Sequence, residues 1–308
     1  MSYDTGLVPV YTAQYSMNLE LLLQQKGSKL RGKVAEGFHV GKMASPIQQI
    51  APIKMNKPEG RFAPKKRVDT NFVRRWVFPQ PGDIDQLIDT FDELQTIVDP
   101  KSAYTMNAAN AVGRAWDDEL LGATTRIAYT GQDAADLAQE TFDTTKFQIA
   151  VDFDAAGAVG LTVAKLIELK RLFRHYENDL EEEEITLIGG SRQEADLLQQ
   201  QQVVSREYND TPVLKDGKLT RFLGINTVWM ERVPETTAGS VRGVLAFVKS
   251  GMYLGMWKDT TNNVSKRNDL TGEPWDLYTM AMFGATRTQP GKVFQILCAD
   301  TTGGPITP

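Results

Sequence analysis

Residues 24–76 form a basic segment that restricts the possible folds of this 308-residue chain more than any other feature. The segment holds thirteen Lys and Arg residues against three acidic ones, a formal charge of +10. With an overall charge of −5, the remaining residues therefore carry −15. Nine glycine and proline residues interrupt the segment, and strand-like runs at residues 38–43, 48–55 and 71–78 predict an extended two-stranded excursion. Because so long a loop is uncommon inside a compact domain, we expect its partners to lie outside that domain.

Composition limits the class of protein. With 41% apolar and 24% charged residues, the chain is typical of a globular protein, and its length suggests about two domains. No run approaches the roughly 18 apolar residues of a membrane span, and the first residues lack a basic region followed by an apolar core. We therefore expect neither a membrane-inserted nor a secreted protein. The single cysteine, Cys298, excludes an internal disulfide, and its apolar sequence neighbours predict a buried, unreactive thiol.

Helical patterns flank and follow the basic segment. A short amphipathic patch over residues 15–25 is expected to dock on another surface. Apolar residues at three- and four-residue spacing predict an acidic amphipathic helix over residues 82–99. A longer helix should follow, with Asp99 as its N-cap, Pro100 at the first helical position, and an end at Gly122. The alanine-rich surface of this long helix should let another element approach closely.

The middle of the chain predicts two more helices. One begins after Thr162, with Leu166 facing the core and Lys165 facing water. In the other, Ser191 and Glu194 have the spacing of a capping box, in which each side chain bonds to the backbone of the other residue.

Strand-like runs dominate the remainder. They cover residues 147–153, 185–188, 222–231, 243–249, 252–258, 277–287 and 292–299, with a hairpin turn at residues 215–218 and a loop at residues 234–240. Because helices and strands do not alternate regularly along the chain, the predicted class is α+β.

The residues that usually carry chemistry are few and scattered. The chain contains no glycine-rich phosphate loop and no G-x-S-x-G nucleophile motif. His39, His175 and Cys298 cannot build a zinc site by themselves. Residues 152–157 begin like a calcium loop but lack its later ligands. The adjacent carboxylates at residues 117–118 point in different directions on a helix, and the glutamate run at residues 181–184 is typical of a solvated turn, so neither predicts a catalytic pair. We therefore expect no catalytic residue, cofactor or metal, and no enzymatic activity.

The basic segment suggests either nucleic-acid binding or self-association. Its cations and aromatic rings could pair with phosphates and stack on bases, but the acidic remainder of the chain would repel DNA. Charge complementarity favours contact with the acidic surface of a neighbouring copy. The predicted contacts on the segment are Lys29, Arg31, Lys54, Arg61, Lys65, Lys66, Arg67, Arg74, Arg75 and Trp76. The predicted acidic surface is Asp83, Asp85, Asp89 and Asp92.

An ordered set of segments carries a family resemblance. Residues 15–32 resemble an N-terminal arm and residues 37–78 an extended loop. Residues 103–121, which include Arg114 and the pair Asp117-Asp118, resemble a long spine helix. The segments that resemble an axial domain are residues 161–173, 191–198 and 222–225, and those that resemble closing strands are residues 284–287 and 292–294. In this order they are similar to a major capsid protein of tailed bacteriophages with the Hong Kong 97 type of fold.

The resemblance implies a domain organisation and a mode of assembly. It implies an N-terminal arm (residues 1–35), an extended β-hairpin loop (36–80), a peripheral domain (81–150) with its spine helix at about 100–121, an axial domain (151–240), and returning strands shared by both domains (241–308). It further implies hexamers and pentamers of an icosahedral shell, assembled in the host bacterial cytoplasm and enclosing double-stranded DNA in the virion.

The resemblance also implies partners. A separate scaffolding protein is expected because the chain starts directly with the arm, and a portal, a possible decoration protein and packaged DNA bound without sequence specificity are expected as well. Two alternatives remain open from sequence. One is an encapsulin-like compartment that encloses an enzyme, and the other is a nucleic-acid-binding protein that uses the basic segment.

Overall fold

A computed structural model describes residues 23–57, 60–62, 64–70, 72–88, 101–200, 203, 219–237 and 240–300. The described helices are α1 (Lys101–Thr125), α2 (Thr144–Phe147), α3 (Val163–His175) and α4 (Ser191–Leu198). The described strands are β1 (Ala35–Phe38), β2 (Ala44–Ile50), β3 (Phe72–Val77), β4 (Gln80–Ile88), β5 (Ala128–Gly131), β6 (Ala138–Glu140), β7 (Gln148–Ile149), β8 (Ile185–Gly189), β9 (Arg221–Phe222), β10 (Ile225–Trp229), β11 (Glu235–Thr237), β12 (Val241–Val248), β13 (Met252–Lys266), β14 (Trp275–Arg287) and β15 (Val293–Ala299). This content is α+β, as predicted.

The strands form three sheets. The long sheet has the order β1-β13-β14-β4, and its backbone is the extended antiparallel pair β13 and β14. The central sheet has the order β7-β15-β12-β8-β10-β9, with β11 added beside β12. The loop sheet has the order β2-β3-β5-β6 and contains the two strands of the basic segment.

The central sheet is buried on both faces. Along β12, Val244 and Ala246 pack with the apolar side of α3, whereas Leu245 and Phe247 pack with α1 and the long sheet. Side chains alternate between the faces of a strand, so β12 contributes to both cores. A strand buried on both faces reads as a continuous apolar run, and residues 243–248 show such a run.

Helix α1 packs its larger side chains against the long sheet and extends further than predicted. Trp116 meets Phe283 of β14 in an edge-to-face contact with 6.4 Å between ring centroids. The helix continues through Gly122, because Arg126 N donates to Gly122 O at 3.0 Å and both Ala123 and Thr124 are buried. Packing of this last turn offsets the intrinsic cost of glycine inside a helix.

The acidic helix predicted over residues 82–99 is wrong for its described part. Residues 80–88 form β4, which pairs antiparallel with β14 over nine residues, from Gln80 opposite Phe283 to Ile88 opposite Trp275. The ladder along β14 supplies backbone partners that overrode the helical spacing of the apolar residues. Residues 89–100, including the predicted N-cap Asp99, lie outside the described residues.

Several other boundaries differ from the predictions. Residues 39–43 separate β1 from β2, and the strand predicted for residues 147–153 is divided among α2, β7 and a turn. The N-cap of α4 is Gly190, one residue earlier than expected, and its amide donates to the side chain of Gln193 at 3.0 Å. The predicted start of α3 after Thr162 is confirmed, and the Thr162 side chain caps the helix by accepting from Lys165 N at 3.3 Å. The predicted hairpin turn at residues 215–218 and most of the patch at residues 15–25 lie outside the described residues.

Candidate assembly interface

The loop hairpin consists of β2, β3 and the described residues between them, and it confirms the predicted two-stranded excursion. Its strands pair antiparallel from Ala44 opposite Val77 to Ile50 opposite Phe72. Beyond the paired part, apolar side chains point into solvent: Ile53 is 64% exposed, Met55 92% and Phe62 95%. Large apolar side chains clustered with cations on a projecting hairpin are typical of a surface that binds another protein.

Most predicted contact residues on this hairpin are exposed. Lys54, Arg61, Lys65, Lys66 and Arg67 all lie on its surface. Arg67 forms an ion pair with Asp69 at 3.1 Å, and both side chains remain more than four-fifths exposed. An exposed pair of this kind contributes little to stability, so Arg67 remains able to contact another molecule.

The remaining predicted contact residues are engaged within the chain. Lys29 donates to Trp229 O at 2.7 Å, and Arg31 pairs with Asp259 at 3.2 Å while stacking 4.5 Å from the Trp116 ring centroid. Arg74 is half-buried and donates to Gln132 O at 3.2 Å. These contacts hold the start of the basic segment and the base of the hairpin against their own subunit.

Arg75 and Trp76 require a correction, because the structure places both inside the subunit. Arg75 is 5% exposed and pairs with the carboxylate of Glu140 on β6. Trp76 is 9% exposed, and its indole nitrogen donates to Gly131 O at 3.3 Å. On β3 each side chain faces the opposite side from its neighbours, and the faces of Arg75 and Trp76 are both covered. They cannot serve as the exposed contacts predicted from sequence.

The acidic surface lies on β4. Asp83 and Asp85 are exposed there, whereas Asp89 and Asp92 lie outside the described residues. A hydrogen bond between the carboxyls of Asp85 and Asp276 raises the pKa of Asp85, because a second carboxylate at this distance disfavours ionisation of the first. Arg267 lies near this carboxyl pair, 3.7 Å from Asp276, and its charge opposes part of the rise in the pKa of Asp85.

A groove runs beside Asp83 across the face of the long sheet that is turned away from α1. It has a volume of about 560 Å³, and its lining includes His39, Trp257, Tyr278, Met280 and Met282. Outward-facing positions of antiparallel sheets are usually polar, whereas β14 presents tyrosine and methionine here. Lys258 also lines the groove, which therefore offers a largely apolar surface with Asp83 at its edge and a lysine among its lining residues.

A second contact region holds the start of the basic segment on α1. The buried carboxylate of Asp117 accepts from Lys29 N at 3.0 Å and Leu30 N at 3.2 Å. Asn110 accepts from Gly27 N at 3.0 Å, and a Cβ added at Gly113 would lie only 2.5 Å from the Gly27 carbonyl carbon. The close approach expected for a small helix face is confirmed.

The role of Asp117 was not predicted from sequence, where this residue was considered only as one of two adjacent carboxylates that point in different directions. A signal was present, because Asn110, Gly113, Arg114 and Asp117 recur at the spacing of one helix face. Asp118 does face solvent, and it pairs with Arg232.

The described residues contain little that suggests chemistry. In this part of the chain, no group of three or more His, Cys, Asp or Glu side chains could hold a metal, and no helix is long and apolar enough to cross a membrane. Cys298 is fully buried, which confirms the expected buried thiol, and burial raises its pKa to about 12. A thiol in this state is protonated and unreactive at neutral pH.

Comparison with known proteins gives one family. A family model described as phage capsid protein matches residues 8–300. A search of curated protein sequences finds no match to the chain.

Solved structures share the fold over nearly the whole chain. The capsid structure of cyanophage P-SCSP1u is 13% identical, covers 94% of each chain and gives a TM-score of 0.71. The capsid asymmetric unit of cyanophage Pam1 is 13% identical; the match covers 98% of this chain and 100% of the other and gives a TM-score of 0.67. The capsid of a native GTA particle is 11% identical; the match covers 94% of this chain and 96% of the other and gives a TM-score of 0.65.

These likenesses confirm the expected Hong Kong 97-like fold. The matched family model extends over almost the entire sequence, so the chain belongs to the phage capsid protein family.

Proposed function

We propose that this chain is the major capsid protein of a tailed bacteriophage and assembles into hexamers and pentamers of an icosahedral shell around packaged double-stranded DNA. The observation that carries the proposal is the loop hairpin, which exposes large apolar side chains and cations to solvent. A surface of this composition is stable in water when another copy covers it. Weak contacts repeated over many copies then add up to a stable shell.

The partner surface of the hairpin is the groove and the acidic edge of β4 on a neighbouring copy. Asp83 and Asp85 supply negative charge, and the groove supplies apolar area for side chains such as Phe62. Opposite charges steer the approach and fix the register, while the apolar contacts supply most of the affinity. The hairpin thus carries out self-association, and its function is not catalytic.

The proposed division of the subunit follows the expected domain bounds. Strands β2 and β3 belong to the extended loop, and α1, β4, β5 and β6 to the peripheral domain. Helices α3 and α4 with β8, β9 and β10 belong to the axial domain, whose end would meet other copies around the hexamer and pentamer axes. Strands β12 to β15 are the returning strands shared by both domains. A scaffolding protein, a portal and a decoration protein complete the assembly, which takes place in the host cytoplasm. DNA is enclosed without sequence-specific contacts.

A charge-reversal experiment tests the hairpin contact. Arg61→Glu with Lys65→Glu should reduce particle yield in electron micrographs roughly tenfold, because like charges would then face each other across the interface. The folded subunit should be retained, since both side chains are exposed.

The matched rescue adds Asp83→Lys and Asp85→Lys to the reversed chain. Every copy then carries both reversed surfaces, so particle yield should return toward that of the unchanged chain. Normal particle yield from the first variant would refute the role of the hairpin charges. Failure of the rescue with intact subunits would show that β4 is not the partner surface. If the unchanged chain forms no particles and its hairpin binds DNA with an affinity that falls as salt rises, the nucleic-acid alternative is supported.

A further inference from the structure

Arg287 occupies a buried position where the long sheet meets the end of the spine helix α1. It is the last residue of β14 and is fully buried. Its guanidinium donates to Thr124 O at 2.7 Å and to Arg126 O at 3.1 Å. The last carbonyls of a helix lack donors within the helix and carry partial negative charge. The end of α1 thus supplies acceptors that make burial of this cation tolerable.

A third bond connects Arg287 to the loop sheet. Its guanidinium donates to Glu140 O at 3.2 Å, and its Cζ lies 5.5 Å from the centroid of the Phe142 ring. The Glu140 side chain turns toward β3 and pairs with Arg75. Glu140 therefore links two buried arginines, one on the body of the subunit and the other on the loop hairpin.

Glu140 supplies a single carboxylate for two buried guanidinium groups, so it compensates their charge only in part. Arg287 and Arg75 are 0% and 5% exposed; the Glu140 carboxylate pairs with Arg75, and the Glu140 backbone carbonyl accepts from Arg287. Among the described residues, the Nε atoms of both arginines are buried without a hydrogen-bond partner. Burial lowers the pKa of Arg287, the Glu140 carboxylate opposes this effect, and the Arg75 charge adds to it. Loss of the carboxylate would leave two buried cations uncompensated.

Other contacts bring the hairpin base and the body together at the same place. Gln49 of β2 donates to Thr288 O, the residue after Arg287, at 2.8 Å. Gly284 of β14 packs so closely against Phe78 that an added Cβ would lie 2.2 Å from Phe78 O. The hairpin thus leaves the body beside a backbone contact that tolerates no side chain.

We propose that Arg287, Glu140 and Arg75 form a charged joint that fixes the direction in which the loop hairpin leaves the subunit. Glu140 and Arg287 are positioning residues, because they set where the exposed contact side chains lie without touching the partner themselves. The relevance of the joint to shell assembly rests on the proposed function, whereas the joint itself exists in a single subunit and can be tested there.

A distance measurement on the unassembled subunit tests the joint. Spin labels at Ile50→Cys on the hairpin and Ala109→Cys on α1 report the hairpin direction, and both positions are exposed. The native Cys298 is fully buried and does not react. In the unchanged background the distance distribution should be narrow. Glu140→Gln should shift it or broaden it about twofold, because an unpaired buried charge drives the groups around it to rearrange.

The control is Glu119→Gln, the same substitution in an ion pair at the same helix end. Glu119 pairs with Arg126 at 2.8 Å, and the Arg126 side chain is 45% exposed. This variant should leave the distribution unchanged. Glu140→Asp, which keeps the charge, should restore most of the narrow distribution.

A second variant covers the case in which Glu140→Gln does not fold. The double variant Arg75→Gln with Glu140→Gln removes both charges of the pair, so neither residue is left as an unpaired buried charge. It should broaden the distance distribution with a smaller loss of stability than Glu140→Gln alone. A narrow, unshifted distribution in either folded variant would overturn the joint. A broadened distribution with normal particle assembly would leave the joint standing and contradict the proposed role of the hairpin in assembly.

Discussion

Replacing Lys165 with methionine tests how the apolar core around α3 is closed. Lys165 is fully buried, although its position beside the apolar face of the helix had indicated a solvent-facing side chain. Its ammonium lies within hydrogen-bond distance of four carbonyls: Val151 and Val159 at 3.0 Å, Gly160 at 3.0 Å, and Leu297 at 2.9 Å. These carbonyls belong to the segment before α3 and to β15, so one side chain holds three parts of the chain together.

Methionine has nearly the same length but cannot donate. An ammonium has three N–H groups, so the substitution removes at most three charged hydrogen bonds shared among the four carbonyls, each contributing roughly 1.5 to 3 kcal/mol. The carbonyls of Val151 and Val159 keep backbone donors, from Val159 N at 3.1 Å and Ala299 N at 3.0 Å. Removal of the buried ammonium also relieves its desolvation, the effect that lowers the pKa of Lys165. Since each buried carbonyl left without a donor costs roughly 1 to 3 kcal/mol, and relief of desolvation offsets part of that sum, we expect a net loss of roughly 2 to 4 kcal/mol.

Urea unfolding of the unassembled subunit, followed by circular dichroism, measures the effect. The matched control is Lys170→Met on the same helix, where the exposed ammonium makes one bond to Leu223 O at 3.0 Å. The control should lose less than about 1 kcal/mol. If Lys165→Met also loses less than about 1 kcal/mol, the four-carbonyl contact does not stabilise the core and the reasoning is refuted.

Two further substitutions test other contacts of the fold. Hydrogen bonds from Ser191 and Arg242 lower the pKa of Glu231 from 4.5 to about 2, so the stabilisation is present above pH 4.5 and is lost as the pH falls toward 2. Glu231→Gln should flatten the pH dependence of the free energy of unfolding in that window, by about 1 kcal/mol at most because the side chain is 60% exposed, and urea unfolding at several pH values measures this change. Asp117→Ala should release the backbone of residues 29 and 30 and speed hydrogen exchange of those two amides. The control Asp118→Ala should leave their exchange unchanged. Equal exchange rates in both variants would contradict the role of Asp117.

The sequence predicted those elements whose local pattern agrees with their packing. Apolar runs predicted β12, β14 and β15, and the helical pattern after Thr162 predicted the start of α3. The glycine and proline breaks, together with the strand-like runs between them, predicted the hairpin. In each case the residues carry the signal in their own neighbourhood.

Long-range pairing decided what the sequence could not show. The apolar spacing of residues 84–88 fits a helix, but the β14 ladder converts this stretch into β4. Lys165 lies next to the core face, and only the carbonyls of distant residues such as Leu297 make its burial favourable. Arg75 appeared to be one of many basic contacts, because its partner Glu140 is 65 residues away. No local pattern marks such a pair.

Zero-length crosslinking of assembled particles tests the central claim most directly. Particles grown from an equal mixture of unlabelled and nitrogen-15-labelled subunits would be treated with a carbodiimide, which joins lysine amines to carboxylates in contact. Crosslinks between the hairpin residues Lys54 or Lys65 and the β4 residues Asp83 or Asp85 should contain mixed isotopes in about half of the pairs, as expected when each hairpin contacts a different copy. If these crosslinks carry one isotope only, the hairpin contacts its own subunit and the account is contradicted.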